Sequence, residues 1–257
     1  MALLEVDNVS VRFGGLTALS GFSFRLDAGE LVGLIGPNGA GKTTAFNVVT
    51  GVYAPSAGDV RLGGNSTAGR KPFRINRLGI ARTFQNIRLF GGLSALDNVL
   101  VGSARNMHAT LAGAVMGTSG NLRREREVRL QALRLLRTFG LDGRARETAD
   151  ALPYGDQRRL EIARALATGP KILLLDEPAA GMNPQEKLQL MDLIRFVRDS
   201  FGVGIWLIEH DMKLVMSICQ RITVLNYGQT IAVGTPQEVQ NNQKVIEAYL
   251  GEPAGNA

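Results

Sequence analysis

Apolar and polar residues alternate from Leu4 through Phe13 (LEVDNVSVRF), the period of two expected of a β-strand with one buried face. The turn pair Gly14-Gly15 ends that strand. A second strand is predicted near Gly21 to Leu26, closing on the turn Asp27-Ala28-Gly29. Glu30 to Ile35 is a short apolar run that reads as a buried strand, and a glycine-rich loop follows it. A helical pattern then starts at Lys42 and stops at Gly51.

Residues 86 to about 165 have a different character. A helix is predicted from Ser94, which would cap it, with Asp97 three residues on. An Ala/Gly-rich insert follows, then a charged helix from about Asn121 to Phe139 and another from about Gln157. After that, strands and helices alternate: a strand at Lys171 to Leu175, a helix at Pro184 to Ser200, a strand at Val203 to Ile208 and a helix after His210. A final hairpin turns through Asn226-Tyr227-Gly228. Such alternation predicts an α/β fold with a largely parallel sheet covered by helices. The pattern fits a single domain over 1–257, with a core at 1–85 and 166–257 and a helical lobe at about 86–165.

The composition is that of an ordinary globular chain: 257 residues, 45% hydrophobic and 20% charged. Cys219 is the one cysteine, which excludes an internal disulfide framework and suits a reducing compartment. No apolar run approaches the roughly 20 residues of a membrane-spanning helix, and the start of the chain lacks a secretory pattern, so a soluble protein is expected. The net charge of +6 is spread among interleaved acids and bases, which reads as a solvated surface and not as a nucleic-acid tail.

Two motifs carry chemistry. Gly36-Pro37-Asn38-Gly39-Ala40-Gly41-Lys42-Thr43, followed by Thr44, fits G-x-x-x-x-G-K-[ST] between a strand and a helix. The glycines let backbone N–H groups converge on phosphate oxygens at a helix N-terminus. Lys42 would reach the terminal phosphates of a nucleoside triphosphate, and the Thr43 hydroxyl would ligate Mg²⁺. The second motif, Ile172-Leu173-Leu174-Leu175-Asp176-Glu177, is a buried strand ending in two carboxylates and then Pro178. Asp176 would hold Mg²⁺ and Glu177 would polarise an attacking water. Together these read as a P-loop nucleoside triphosphatase.

The stretch Leu152-Pro153-Tyr154-Gly155-Asp156-Gln157-Arg158-Arg159-Leu160-Glu161-Ile162-Ala163-Arg164-Ala165-Leu166 narrows the class. It resembles the signature segment of ABC ATPases, L-S-G-G-Q with its following helix. The resemblance implies a RecA-like core sheet, an antiparallel β-subdomain and an inserted helical subdomain. It implies that Pro153, Tyr154, Gly155, Asp156 and Gln157 complete the ATP site of a second subunit in a head-to-tail dimer. It further implies that Phe13 stacks on adenine, the alternative being a core aromatic at a strand end. Gln85 matches a glutamine that senses Mg²⁺ and water, Gly181-Met182-Asn183 a D-loop, and His210 a histidine that contacts the γ-phosphate. His108, in the polar insert, matches nothing and is expected to be exposed.

Tyr154 to Arg164, Asp176 to Gly181, Ile208 to Met216 and Val245 to Glu252 are similar to the LivG-type ATPases of bacterial branched-chain amino-acid importers. The implied partners are a LivF-like ATPase or a second copy of this chain, two transmembrane permeases and, indirectly, a periplasmic solute-binding protein, with no nucleic acid. The implied cofactors are ATP and Mg²⁺, and the implied place is the cytoplasmic face of the inner membrane. Other solutes such as urea, or lipid and lipopolysaccharide export, stay open, because the solute does not touch an ATPase subunit. A nucleic-acid-associated ABC ATPase is a further alternative; one cassette and no heptad run argue against it. Two positions depart from the pattern: Pro153 replaces the signature serine and so lacks both hydroxyl and N–H, and Asn183 replaces the usual D-loop aspartate.

Overall fold

The computed structural model describes residues 2–104 and 119–250. His108 and most of the Ala/Gly-rich insert lie outside the described residues, as does the chain beyond 250. The fold divides into two compact units, one formed by the residues through Arg82 with those from Lys171 onward, the other by Thr83–Pro170.

The first unit holds two sheets. Strand β1 (Leu4–Phe13) pairs antiparallel with β2 (Leu16–Leu26) and with β4 (Ala57–Leu62), and β5 (Asn65–Ser66) completes the order β2-β1-β4-β5. The second sheet contains β3 (Leu31–Ile35), β6 (Ile80–Arg82), β7 (Ile172–Asp176), β8 (Gly204–Ile208), β9 (Arg221–Asn226) and β10 (Gln229–Gly234). Its order is β10-β9-β3-β8-β7-β6, parallel throughout except for the β10–β9 hairpin. Every residue of β3, β7 and β8 is buried, which is why these strands are unbroken apolar runs and do not alternate.

Trp206 of β8 anchors this unit's core. It stacks on Phe24 of β2 at 4.1 Å between ring centroids and meets Phe46 at 4.7 Å. Phe46 belongs to α1 (Lys42–Val49), so the helix that opens at the glycine loop is seated on the same aromatic cluster. Further helices are α2 (Pro72–Leu78), α6 (Pro184–Phe201), α7 (Met212–Ile218), α8 (Pro236–Gln240) and α9 (Gln243–Leu250). The start of α6 is fixed by Asn183, whose side chain accepts from the Glu186 N–H while Glu186 accepts from the Asn183 N–H.

The second unit packs α3 (Ala95–Ser103), α4 (Ser119–Thr138) and α5 (Tyr154–Ala167) together. Ser94 caps α3 by accepting from the Asp97 N–H, as predicted. A Cβ on Gly102 would lie 2.4 Å from the Arg164 carbonyl, so glycine is what lets α3 approach α5.

Some boundaries differ from the sequence reading. Strand β2 begins at Leu16, because Gly21 (φ 62°) lies in an irregular part of the ladder and reads in sequence as a break. Helix α5 begins at Tyr154, three residues before the expected start, with Pro153 as its extended N-cap and Gly155 tolerated in the first turn. The stretch from Ala57 to Arg82, and helices α8 and α9, held elements too short for a periodicity to reveal.

Candidate functional site

Strands β3, β7 and β8 lie side by side and parallel, with Leu34 opposite Ile208 and Ile208 opposite Asp176. The glycine loop, the Asp176-Glu177 pair and Glu209-His210 therefore all emerge at the carboxyl ends of adjacent strands. That edge is where open α/β sheets build their sites.

The loop is held by close backbone approaches. A Cβ on Gly36 would come within 2.1 Å of the Leu225 carbonyl, and one on Gly41 (φ 103°) within 2.7 Å of the Ala18 carbonyl. Asn38 and Gly39 form its exposed crest, while Ala40 and Lys42 are buried beneath. Lys42 Nζ donates to the carbonyls of Gly36 (2.6 Å) and Pro37 (2.9 Å), closing the loop across its own base. Burial lowers the Lys42 pKa, and the nearby Glu177 and Asp176 carboxylates oppose that shift. Thr43 and Thr44 follow; Thr43 is exposed, and its hydroxyl has no hydrogen-bond partner among the described residues.

Asp176 ends β7 almost wholly buried and accepts a 2.6 Å bond from Arg82 at the end of β6. Glu177, next in the chain, adopts φ 45°, a left-handed conformation that costs a non-glycine residue on the order of 1–2 kcal/mol. Its N–H donates to the Ile208 carbonyl at 2.9 Å, which fixes the turn off the strand. The Glu177 carboxylate lies 3.6 Å from His210 Nδ1, with the imidazole 61% exposed. Strain at a partly exposed carboxylate beside an open imidazole is arranged by its surroundings and not by local preference.

Glu209 supplies part of that arrangement. It is buried and accepts from the N–H groups of Ala179 (2.8 Å) and His210 (3.3 Å), so it ties the chain after Glu177 to the start of the His210 segment. Burial raises its pKa. Asp211 caps α7 and accepts from Lys187 of α6 at 2.7 Å, which holds its carboxyl below the usual range. Phe13 is 44% exposed and meets Tyr53 edge-on at 5.0 Å, so it is not a core aromatic. Gly181 (φ 76°), Met182 and Asn183 form the turn into α6, where Asn183 caps as an aspartate would.

The second unit carries the other predicted residues. Pro153, Tyr154 and Gly155 open α5, Tyr154 is exposed, and Asp156 sits 3.4 Å from Arg144 and 3.7 Å from Arg159. Gln157 Nε2 turns back to the Leu152 carbonyl at 2.8 Å and braces the turn. Gln85 is exposed, and its carbonyl accepts from Arg158 at 2.8 Å. Arg158 also donates to the Phe84 carbonyl and to Glu161, both at 2.8 Å, and Glu161 accepts from the N–H groups of Phe84 and Arg88. A fully buried ion pair on α5 thus clamps the segment bearing Gln85.

Arg82, Glu209 and the Arg158–Glu161 pair were not singled out from the sequence. Arg158 and Glu161 lie three apart on a helix otherwise apolar on that face, a signal that was available. Nothing in the sequence pairs Arg82 with Asp176, which lies 94 residues away.

Residues 19–180 match the ABC transporter family pattern, and residues 229–255 match the branched-chain amino acid ATP-binding cassette transporter pattern. The chain is 46% identical over 250 residues to the high-affinity branched-chain amino acid transport ATP-binding protein BraF of Pseudomonas aeruginosa, covering 97% of this chain and 98% of that one. It is likewise 46% identical to LivG of Escherichia coli K12, the high-affinity branched-chain amino acid transport ATP-binding protein, with the same coverage. The crystal structure of the ADP conformation of MJ1267, an ATP-binding cassette of an ABC transporter, superposes with a TM-score of 0.85 at 29% identity, over 98% of this chain and all of that one. With a family pattern over most of its length and full-length relatives at this identity, the chain belongs to the ABC transporter family as an ATP-binding subunit.

Proposed function

We propose that the chain hydrolyses ATP at the edge formed by β3, β7 and β8 and so drives import of branched-chain amino acids through transmembrane subunits on other chains. The observation that carries this reading is the convergence of Lys42, Asp176, Glu177 and His210 at the carboxyl ends of three adjacent parallel strands. The names of the relatives, which cover nearly the whole chain, support the solute.

ATP phosphates would lie over the loop 36–44, on the backbone N–H groups of the crest and the Lys42 ammonium. Phe13 would stack on the base. The donor set fits a divalent cation that prefers hard oxygen ligands: the Asp176 carboxylate and the Thr43 hydroxyl, which pairs with nothing else among the described residues. Mg²⁺ there supplies charge neutralisation of the phosphates. Glu177 acts as general base, taking a proton from the attacking water. The exposed His210 imidazole, whose Nδ1 lies 3.6 Å from the Glu177 carboxylate, would donate from its other ring nitrogen to the γ-phosphate. The assignment of Gln85 to metal and water rests on the family resemblance alone.

Residues 153–157 would face the ATP of a second subunit, either a LivF-like ATPase or another copy, and Gly181, Met182 and Asn183 would carry signals across that dimer as its D-loop. Docking to two permeases places the chain at the cytoplasmic face of the inner membrane, with a periplasmic binding protein delivering solute. The test is co-reconstitution with candidate permeases in liposomes. ATP-dependent leucine uptake that fails with Lys42→Ala is expected. ATPase activity without leucine, isoleucine or valine uptake would overturn the solute assignment.

A further inference from the structure

Arg82 is a strongly buried cation at the carboxylate edge to which the reaction described above gives no task. It ends β6, where it stands opposite Leu174 of β7, so its side chain runs along the strand to the carboxylate two residues further on. Its Nη2 meets Asp176 Oδ2 at 2.6 Å, with each side chain only 8% exposed. The other arm, Nη1, donates to Asn47 Oδ1 at 2.7 Å, and the guanidinium lies 5.4 Å from the centre of the Phe46 ring. Both contacts are on α1, the helix opened by the glycine loop. A guanidinium is charged at every physiological pH and cannot yield by losing a proton. It can yield only by moving.

We propose that Arg82 is a resident counter-cation for Asp176, displaced by the divalent metal that arrives with nucleotide, and that this exchange sets how steeply nucleotide binding depends on Mg²⁺. The proposal rests on the reading of Asp176 as a metal ligand. A carboxylate this buried would be costly without a cation, so Arg82 holds the edge in order while no metal is present. Two cations sharing one carboxylate repel each other where water is scarce, so the metal binds more weakly for every contact Arg82 retains. The contacts with Asn47 and Phe46 would keep the guanidinium anchored to α1 once the Asp176 bond is given up. The exchange would thereby report metal occupancy to the helix beneath the phosphate loop.

The experiment titrates Mg²⁺ against binding of a fluorescent ATP analogue to the full chain, for the wild type, Arg82→Gln and Arg82→Lys. Thermal melts are run with and without Mg·ATP. Arg82→Gln, which keeps a neutral donor, is expected to lower the Mg²⁺ concentration for half-maximal binding by about tenfold; Arg82→Lys, which keeps the charge but loses the second arm, should fall between the wild type and Arg82→Gln. Arg82→Gln should also melt lower without ligand and gain more from Mg·ATP than the wild type gains. An unchanged Mg²⁺ midpoint in Arg82→Gln would make the pair a permanent strut and overturn the proposal. Guanidinium NMR of the wild type gives the same answer with no variant: the Arg82 signals should shift with Mg·ATP and not with ATP in EDTA. Signals that stay put would contradict the exchange. Asp176→Asn separates the two levels of the argument. If it leaves the Mg²⁺ dependence intact, the metal assignment itself is wrong; if it abolishes the dependence while Arg82→Gln changes nothing, only the exchange is wrong.

Discussion

Glu161→Gln removes one charge from the ion pair that clamps the segment around Gln85. Arg158 is fully buried and its partner nearly so, at 0% and 2% side-chain exposure and 2.8 Å separation. Breaking such a pair from one side typically costs about 3–5 kcal/mol, because the remaining charge stays in a poorly solvating interior. Here the low end applies. Arg158 keeps the carbonyls of Phe84 and Gln85 and the Tyr154 hydroxyl, and glutamine still offers one acceptor to the N–H groups of Phe84 and Arg88. We expect a loss of about 3 kcal/mol, a large share of the roughly 5–15 kcal/mol that holds a domain folded. Urea unfolding followed by circular dichroism measures it, and hydrogen exchange at Phe84 and Arg88 shows whether the loss is local. Removing both charges with Arg158→Met and Glu161→Leu should cost less than the sum of the two single changes. A Glu161→Gln loss under about 1 kcal/mol, or additivity in the cycle, would refute the clamp.

Glu209→Gln should alter how stability depends on pH. Burial raises the Glu209 pKa in the folded protein, so the folded state holds this proton to higher pH than the unfolded chain does. Its contribution is full below the ordinary carboxylate range and is lost as pH rises through the raised value, so the variant should lose less stability over that window than the wild type in parallel urea titrations. Cys219 is buried, and burial pushes its thiol pKa up; it should resist a thiol reagent in the native protein and react once urea unfolds the chain. Phe13→Ala should weaken nucleotide binding by about tenfold through lost stacking while leaving stability nearly unchanged, since the ring is 44% exposed. Unaltered affinity in a nucleotide titration would return Phe13 to a structural role.

The first strand, the glycine loop and the Asp176-Glu177 strand were legible because each carries a dense local signal. Four consecutive buried apolar residues before two acids, or G-x-x-x-x-G-K-T, need no tertiary information. What escaped depended on contacts distant in sequence. Arg82 is one more arginine in a basic chain until β6 pairs with β7, and Glu209 is one acid beside a histidine until the Ala179 N–H turns towards it. In the sequence, Pro153 stands out for lacking the hydroxyl and N–H of the signature serine. Structurally it is an extended N-cap, a place proline occupies without strain, and Gln157 braces the turn behind it. Asn183 departs in the sequence from the usual D-loop aspartate, and in the fold it makes a complete capping box with Glu186.

The proposed hydrolysis turns on Glu177 activating the water that attacks ATP. Glu177→Gln keeps the size and the hydrogen-bonding outline of the side chain but removes the basic carboxylate. Losing a positioned general base costs about 10²–10⁴-fold in rate. Nucleotide binding should persist, because Lys42 and Asp176 are untouched. The direct measurement is single-turnover hydrolysis of ATP with Mg²⁺, run beside light scattering that reads subunit pairing. The expected result is a rate lowered by at least about a hundredfold, together with an ATP-held dimer that the wild type only visits. Hydrolysis by Glu177→Gln at the wild-type rate would contradict it.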